Sequence, residues 1–247
     1  MFKIIVDVIK CIPILIYFLF NDLFNKNPKK CSRVKSCNIL SDKLGKILKR
    51  CGVELVVTGR ENLPNVQSYL ICPNHQGMLD AFVIFSLFKN EPVSFIAKKS
   101  IKKIPFLSGI FKRTDGYFMD RSDLRSELKI MKNVRKSLAE NDVKWVIFPE
   151  GTRTKDTINY SLNPFKAGAL KYPMQIKKPI IPVALYGTHH VFDLKDKRKK
   201  YKVYVHFFEP ITSEFYMHKT TQEVSDYMQS LIEEKVQYFH NQYTKEK

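Results

Sequence analysis

The sequence predicts an α/β domain, a mixed and largely parallel sheet flanked by helices, preceded by an N-terminal helical segment. Three observations carry this. From Val53 onward, short apolar runs alternate with stretches of helical period, as when strands are joined by helical crossovers. No Pro/Gly/Ser-rich linker divides the 247 residues, and 44% of them are hydrophobic, enough for one sizeable core. The N-terminal fifth is different in kind, an apolar stretch followed by a basic one, so residues 1–52 form the helical segment and residues 53–247 the α/β domain.

Residues 2–20 read FKIIVDVIKCIPILIYFLF. As a helix they put Lys3, Asp7 and Lys10 on one side, continued by Tyr17, Asn21 and Asn25 with only Ile14 interrupting, while the rest of the cylinder is apolar. The unbroken apolar run, Cys11 to Phe20, contains Pro13 and falls short of the roughly 20 residues a spanning helix needs. A helix lying in a membrane interface fits better than a core helix or a spanning anchor flanked by Lys3, Lys29 and Lys30. FLFNDLFNK offers no small-residue cleavage site for a signal peptide. A second amphipathic helix, about 38–51, closes at Gly52. Lysines and arginines are dense from Lys29 to Arg50, and anionic headgroups attract such a segment. The expected location is the cytoplasmic face of the cell membrane, peripheral or monotopic.

In the second part, VELVVTG, SYLICP and VSFIA read as strands, with a helix from about Met78 to Phe88 between the last two. Residues 100–112 read as helical and GYFMD as a short strand. Ser122 is a candidate N-cap for a helix in which Leu124, Leu128, Met131, Val134 and Leu138 recur at helical spacing. VKWVIF, PIIPVAL and YKVYVHFF are further strands, and a helix from about Thr221 to Phe239 follows.

The net charge of +18 points to a polyanion: nucleic acid, an anionic membrane or a phosphate-bearing substrate. A lysine-favouring codon bias accounts for part of such an excess. No nucleic-acid motif is present, and the aromatic residues lie in apolar runs rather than between basic residues, so no nucleic-acid partner is expected. The five cysteines, Cys11, Cys31, Cys37, Cys51 and Cys72, are odd in number and lack CxxC spacing. Neither a disulfide framework nor a metal site is expected, and a reducing setting fits.

In α/β sheets, ligands bind beyond the carboxyl ends of strands. His75 follows YLIC within CPNHQGMLD, with Asp80 five positions later. Neither a helix nor a strand brings residues at that spacing together, but a strand end, a turn at Gly77 and a helix start do. The Asp80 carboxylate can then accept one ring N–H of His75 and leave the other nitrogen as a base. FPEGTRT places Glu150 to Arg153 after the strand VKWVIF. Gly151 lets backbone N–H groups approach an anion, Thr152 offers a hydroxyl, and Arg153 can clamp phosphate oxygens. Glu150 repels phosphate and is assigned to orienting an arginine or a substrate hydroxyl. Arg121, at the end of GYFMDR, and Lys98, at the end of a strand, are further candidates for phosphate.

Taken together, these stretches resemble the glycerolipid acyltransferases of the lysophosphatidate acyltransferase type. An H-x4-D motif is met by His75 and Asp80. A G-x-F-I-x-R-like block is met by Gly116, Phe118, Met119 and Arg121. An E-G-T-R block is met by Glu150, Gly151, Thr152 and Arg153, and an apolar stretch surrounds Pro182, all in order over about residues 70–188. The departures are Gly77, where the family often has serine, and Met119 for isoleucine. The resemblance implies acyl transfer from a thioester, on acyl-CoA or acyl carrier protein, to the free hydroxyl of 1-acyl-sn-glycerol 3-phosphate, giving phosphatidate. Glycerol 3-phosphate or another lysophospholipid is the alternative acceptor, and a non-catalytic protein of anionic membranes the alternative class. His75 would be the base, Asp80 its support, and Lys98, Arg121 and Arg153 the phosphate ligands, with no cofactor or metal. An acyl–cysteine route through Cys72 is disfavoured because Cys72 ends a buried strand.

Overall fold

The computed structural model describes residues 9–17, 33–103, 108–109, 111, 113–120, 123–140, 143–154, 161–193, 196 and 198–245. Seven strands form one sheet: β1 (Val53–Thr58), β2 (Leu70–Pro73), β3 (Val93–Lys98), β4 (Tyr117–Met119), β5 (Lys144–Val146), β6 (Ile180–Tyr186) and β7 (Tyr201–Phe207). Their order is β1-β7-β6-β2-β5-β3-β4. From β6 to β4 all neighbours are parallel; β6 and β7 pair antiparallel, and β1 is parallel to β7. The sheet is therefore mixed and largely parallel, as expected.

Alternation along the strands gives each face its own apolar cluster. Ile71, Phe95, Val183 and Val205 point to one face, and Leu70, Cys72, Trp145 and Ala184 to the other. Helix α2 (Arg33–Arg50) and helix α3 (Asp80–Leu87) cover the first face with Leu40, Leu44, Val83 and Ile84. Helices α4 (Leu124–Ala139) and α7 (Thr221–Lys245) cover the second; α7 contributes Val224, Met228, Ile232, Val236, Phe239 and Tyr243, one residue per turn. Short helices α5 (Lys171–Gln175) and α6 (Ser213–Tyr216) complete this side. Each fully buried Leu, Ile or Val contributes about 1.5–3 kcal/mol of transfer free energy, so the two clusters fix the sheet that carries the site.

Some elements differ from the sequence expectation. Helix α2 starts at Arg33 rather than near 38, because Cys37 extends its buried stripe. Helix α7 runs past Phe239 to Lys245, since Tyr243 still packs in the core. Strand β5 keeps only Lys144–Val146 of VKWVIF. Leu124 and Leu128 are exposed, and Ile130, Met131, Val134 and Leu138 form the buried stripe of α4. Its N-cap is Asp123, whose carboxylate accepts the N–H groups of Arg125 and Ser126; Ser122 lies outside the described residues. Of the expected helix at 100–112, a 3-10 turn at Lys99–Lys103 and helical residues at 108, 109 and 111 are described.

Of the N-terminal stretch, residues 9–17 are described, as helix α1; Lys3, Asp7 and the residues from 18 to 32 lie outside. Cys11 and Ile14 pack into the first cluster, and the Arg50 guanidinium donates to the Lys10 carbonyl at 2.8 Å. Ile14, the residue that interrupts the polar stripe, thus faces protein, while Ile9, Ile12 and Ile16 are exposed. Among the described residues no helix is long and apolar enough to cross a membrane.

Candidate active site

The five parallel strands β6, β2, β5, β3 and β4 end on one edge of the sheet, and the residues singled out in the sequence follow those ends. His75 comes two residues after β2, Glu150 four after β5, and Lys98 is the last residue of β3. Because β2, β5 and β3 are neighbours, motifs far apart in the chain become adjacent. Arg121, two positions after β4, lies outside the described residues.

The loop from β2 to α3 is wound around the Asp80 carboxylate. Oδ2 accepts His75 Nδ1–H at 2.7 Å, the Gln76 N–H at 2.7 Å and the Gly77 N–H at 2.9 Å. Oδ1 accepts the Thr188 hydroxyl. Asp80 is fully buried, at 0% exposure, while the His75 ring keeps 23%. With Nδ1 donating to a carboxylate, the neutral ring carries its lone pair on Nε2, which has no hydrogen-bond partner among the described residues. Phe148 packs against the imidazole, with ring centroids 4.4 Å apart. The pairing of His75 with Asp80 read from the sequence is thus present, through the strand end, turn and helix start.

The backbone of His75 is clamped by the Glu150–Thr154 stretch. Its N–H donates to Glu150 Oε1 at 2.6 Å and its carbonyl accepts the Thr154 N–H at 2.8 Å. Glu150 Oε2 accepts the Asn163 N–H at 2.9 Å. Each Glu150 oxygen therefore binds a backbone amide. The side chain ties its own turn to the His75 and Asn163 backbones, a task other than the expected orientation of an arginine or a substrate hydroxyl. Burial pushes its carboxyl up to about 7, against the lowering by the two amides. Asn74 adds a further tie: its side chain exchanges two hydrogen bonds with the Leu185 backbone on β6, at 2.7 and 3.0 Å.

Gly151 has φ +73°, which favours glycine, and its N–H closes a turn onto the Phe148 carbonyl at 3.0 Å. The backbone N–H groups of Thr152 and Arg153 make no hydrogen bond among the described residues. Both side chains are exposed, and neither Arg153 nor Lys98 has an ion-pair partner among the described residues. Lys166, which the sequence reading passed over, lies across this turn: a Cβ on Gly151 would stand 3.3 Å from its Nζ. Its signal was faint, a lone lysine in NPFKAG beyond the motif.

Thr188 was also missed, although it follows the strand IIPVALY as His75 follows YLIC. It occupies the space beside Gly77: a Cβ there would stand 2.5 Å from Thr188 Oγ1 and 2.8 Å from its backbone carbonyl carbon. The glycine that departs from the family pattern is the residue this packing accepts. Met119 packs against the core, so its difference from isoleucine is one of apolar shape. Cys72 is fully buried in the second cluster, and desolvation pushes its thiol far up, which removes the thiolate that a covalent route needs.

The Acyltransferase family model matches residues 54–186. The 1-acyl-sn-glycerol-3-phosphate acyltransferase of Saccharomyces cerevisiae is 34% identical over 137 residues, 56% of this chain and 44% of that protein. The protein of the same name from Cocos nucifera is 29% identical over 189 residues, covering 76% of this chain and 59% of the relative. That of Borreliella burgdorferi is 32% identical over 147 residues, 57% and 54% of the two chains. The matches thus span about half the length of these relatives. The crystal structure of the 1-acyl-sn-glycerophosphate acyltransferase PlsC from Thermotoga maritima superposes with a TM-score of 0.71, covering 91% of this chain and 87% of the other at 23% identity, which establishes a shared fold. The matched region, more than half of the chain, contains the His75–Asp80 pair and the whole Glu150–Arg153 block, and on that ground the chain belongs to the Acyltransferase family.

Proposed function

We propose that this protein transfers a fatty acyl group from a thioester to the free hydroxyl of 1-acyl-sn-glycerol 3-phosphate, forming phosphatidate in phospholipid synthesis. The observation that carries the reading is a buried Asp80 holding His75, beside a turn at Gly151–Arg153; among the described residues neither His75 Nε2 nor the Thr152 and Arg153 N–H groups have a hydrogen-bond partner. An alcohol is a poor nucleophile until a base takes its proton. His75 Nε2 accepts that proton as the alcohol oxygen bonds to the thioester carbonyl carbon. Asp80 stabilises the imidazolium through the 2.7 Å contact at Nδ1. When the tetrahedral intermediate collapses, the carbon–sulfur bond breaks and Nε2 returns the proton to the departing thiolate. The products are the new ester and a free thiol, with no change of oxidation state and no cofactor or metal assigned to any step.

The acceptor phosphate is assigned to the Gly151–Arg153 turn, with the N–H groups of Thr152 and Arg153, the Thr152 hydroxyl and the Arg153 guanidinium as donors, and Lys98, Lys166 and Arg121 adding positive charge. Relatives named for 1-acyl-sn-glycerol 3-phosphate support this choice of acceptor. The donor is acyl-CoA or acyl carrier protein. The exposed Ile9, Ile12 and Ile16 of α1, in a chain of net charge +18, support attachment to an anionic membrane from the cytoplasmic side. The test is an assay of the purified protein with both donor types against 1-acyl-sn-glycerol 3-phosphate, glycerol 3-phosphate and 1-acyl-sn-glycerol. The expected result is transfer to the first that His75→Ala abolishes. Equal transfer to the phosphate-free acceptor would overturn the phosphate assignment, and activity surviving in His75→Ala would overturn the mechanism.

A further inference from the structure

We infer that Thr188 is a positioning residue for the His75–Asp80 pair, its hydroxyl fixing the rotation of the Asp80 carboxylate so that Oδ2 faces His75 Nδ1. The inference rests on the acyl-transfer reading and adds to it a residue from outside the motifs of the loop. The two oxygens of Asp80 are loaded unequally. Oδ2 accepts three N–H groups from the His75–Gly77 loop, whereas Oδ1 accepts the Thr188 hydroxyl. A fully buried carboxylate oxygen without a donor is unfavourable, and rotation about Cβ–Cγ relieves it by sharing the loop donors between both oxygens. That rotation moves the acceptor away from Nδ1 and turns the ring that carries Nε2.

Two backbone features deliver the hydroxyl. Gly187 follows β6 with φ +102°, which sends Thr188 into a 3-10 turn at the level of the loop. Gly77, having no Cβ, lets that turn close in, since a side chain there would meet both the hydroxyl oxygen and the backbone of Thr188 at under 3 Å. Thr188 is itself buried, so its hydroxyl meets this partner and not bulk water. Strand β6 pairs directly with β2, so the residues after the two strands share the same rim.

The test uses Thr188→Val, which keeps the shape and removes the donor, and Thr188→Ser, which keeps the donor. We expect Thr188→Val to lower kcat at least tenfold with KM for both substrates within twofold, and Thr188→Ser to stay within threefold of wild type. Because Thr188 acts through the Asp80 side chain, Thr188→Val added to Asp80→Ala should cost no more than twofold. Equal losses in the Val and Ser variants, or the same fold-loss in the Asp80→Ala background as in wild type, would overturn the inference. If Thr188→Val does not fold, Thr188→Cys, with a weaker donor, must fall below Thr188→Ser. Should the wild type transfer no acyl group, the acyl-transfer reading fails separately. The His75 Nδ1–H proton resonance then decides on Thr188: Val must shift or broaden it and Ser must not.

Discussion

Replacing Asp80 with asparagine separates charge from geometry at His75, the proposed base. The asparagine carbonyl can take the place of Oδ2, which accepts His75 Nδ1–H and the amides of Gln76 and Gly77, because an NH2 group there would face three donors. Its NH2 then faces Thr188, whose hydroxyl turns to accept instead of donate. The loop and the ring stay in place, and what is lost is the negative charge opposite the imidazolium. Unit charges about 4 Å apart at an effective dielectric constant of about 20 interact by roughly 4 kcal/mol, and the remaining amide dipole recovers part of that. A net loss of about 3 kcal/mol corresponds to a ~100-fold fall in kcat. The assay follows thiol release from the acyl thioester at saturating lysophosphatidate, with KM and Tm measured alongside. The expected outcome is a low kcat, an acceptor KM within twofold of wild type and a cooperative thermal transition. A kcat within threefold of wild type would refute the proposition that Asp80 acts by stabilising the imidazolium.

Other substitutions probe the remaining parts of the site. Cys72→Ala keeps most activity in the transfer assay and His75→Ala loses nearly all; the reverse pattern would require an acyl–cysteine intermediate. Arg153→Ala raises KM for the phosphate-bearing acceptor about tenfold and leaves KM for the thioester donor unchanged, and Lys166→Ala does the same to a smaller degree, as steady-state kinetics with each substrate varied would show. Glu150→Gln tests the pH dependence. Glu150 titrates near 4.5 when unfolded and near 7 in the fold, so its contribution to stability is complete below 4.5 and is lost as pH rises through 7. Glutamine does not titrate. The stability advantage of wild type over Glu150→Gln therefore shrinks by roughly 3 kcal/mol between pH 4.5 and pH 8, as urea titrations at the two pH values would register.

What the sequence made legible follows from what each residue depends on. The strands of the sheet and the His75–Asp80 contact rest on local patterns: alternation, a turn glycine and a helix start within six residues. The function of Glu150 was not local. A glutamate after a strand looks available for substrate until Asn163 and the His75 amide, 13 and 75 positions away, are brought to its two oxygens. Thr188, 108 positions from Asp80, needs the strand order as well, since only the pairing of β6 with β2 puts the two strand ends side by side. The same reasoning explains why Leu124 and Leu128 looked like core. Their spacing is helical, but the face that α4 buries is set by contact with the sheet, and Ile130 and Met131 take it. Periodicity identifies a helix and its candidate stripes, while the neighbouring layer selects among them. In this site the chemistry-bearing groups were visible in short motifs, and the groups that hold them were supplied by topology. Removal of a long-range tie such as the Thr188 hydroxyl should therefore lower kcat while leaving both substrates bound as before.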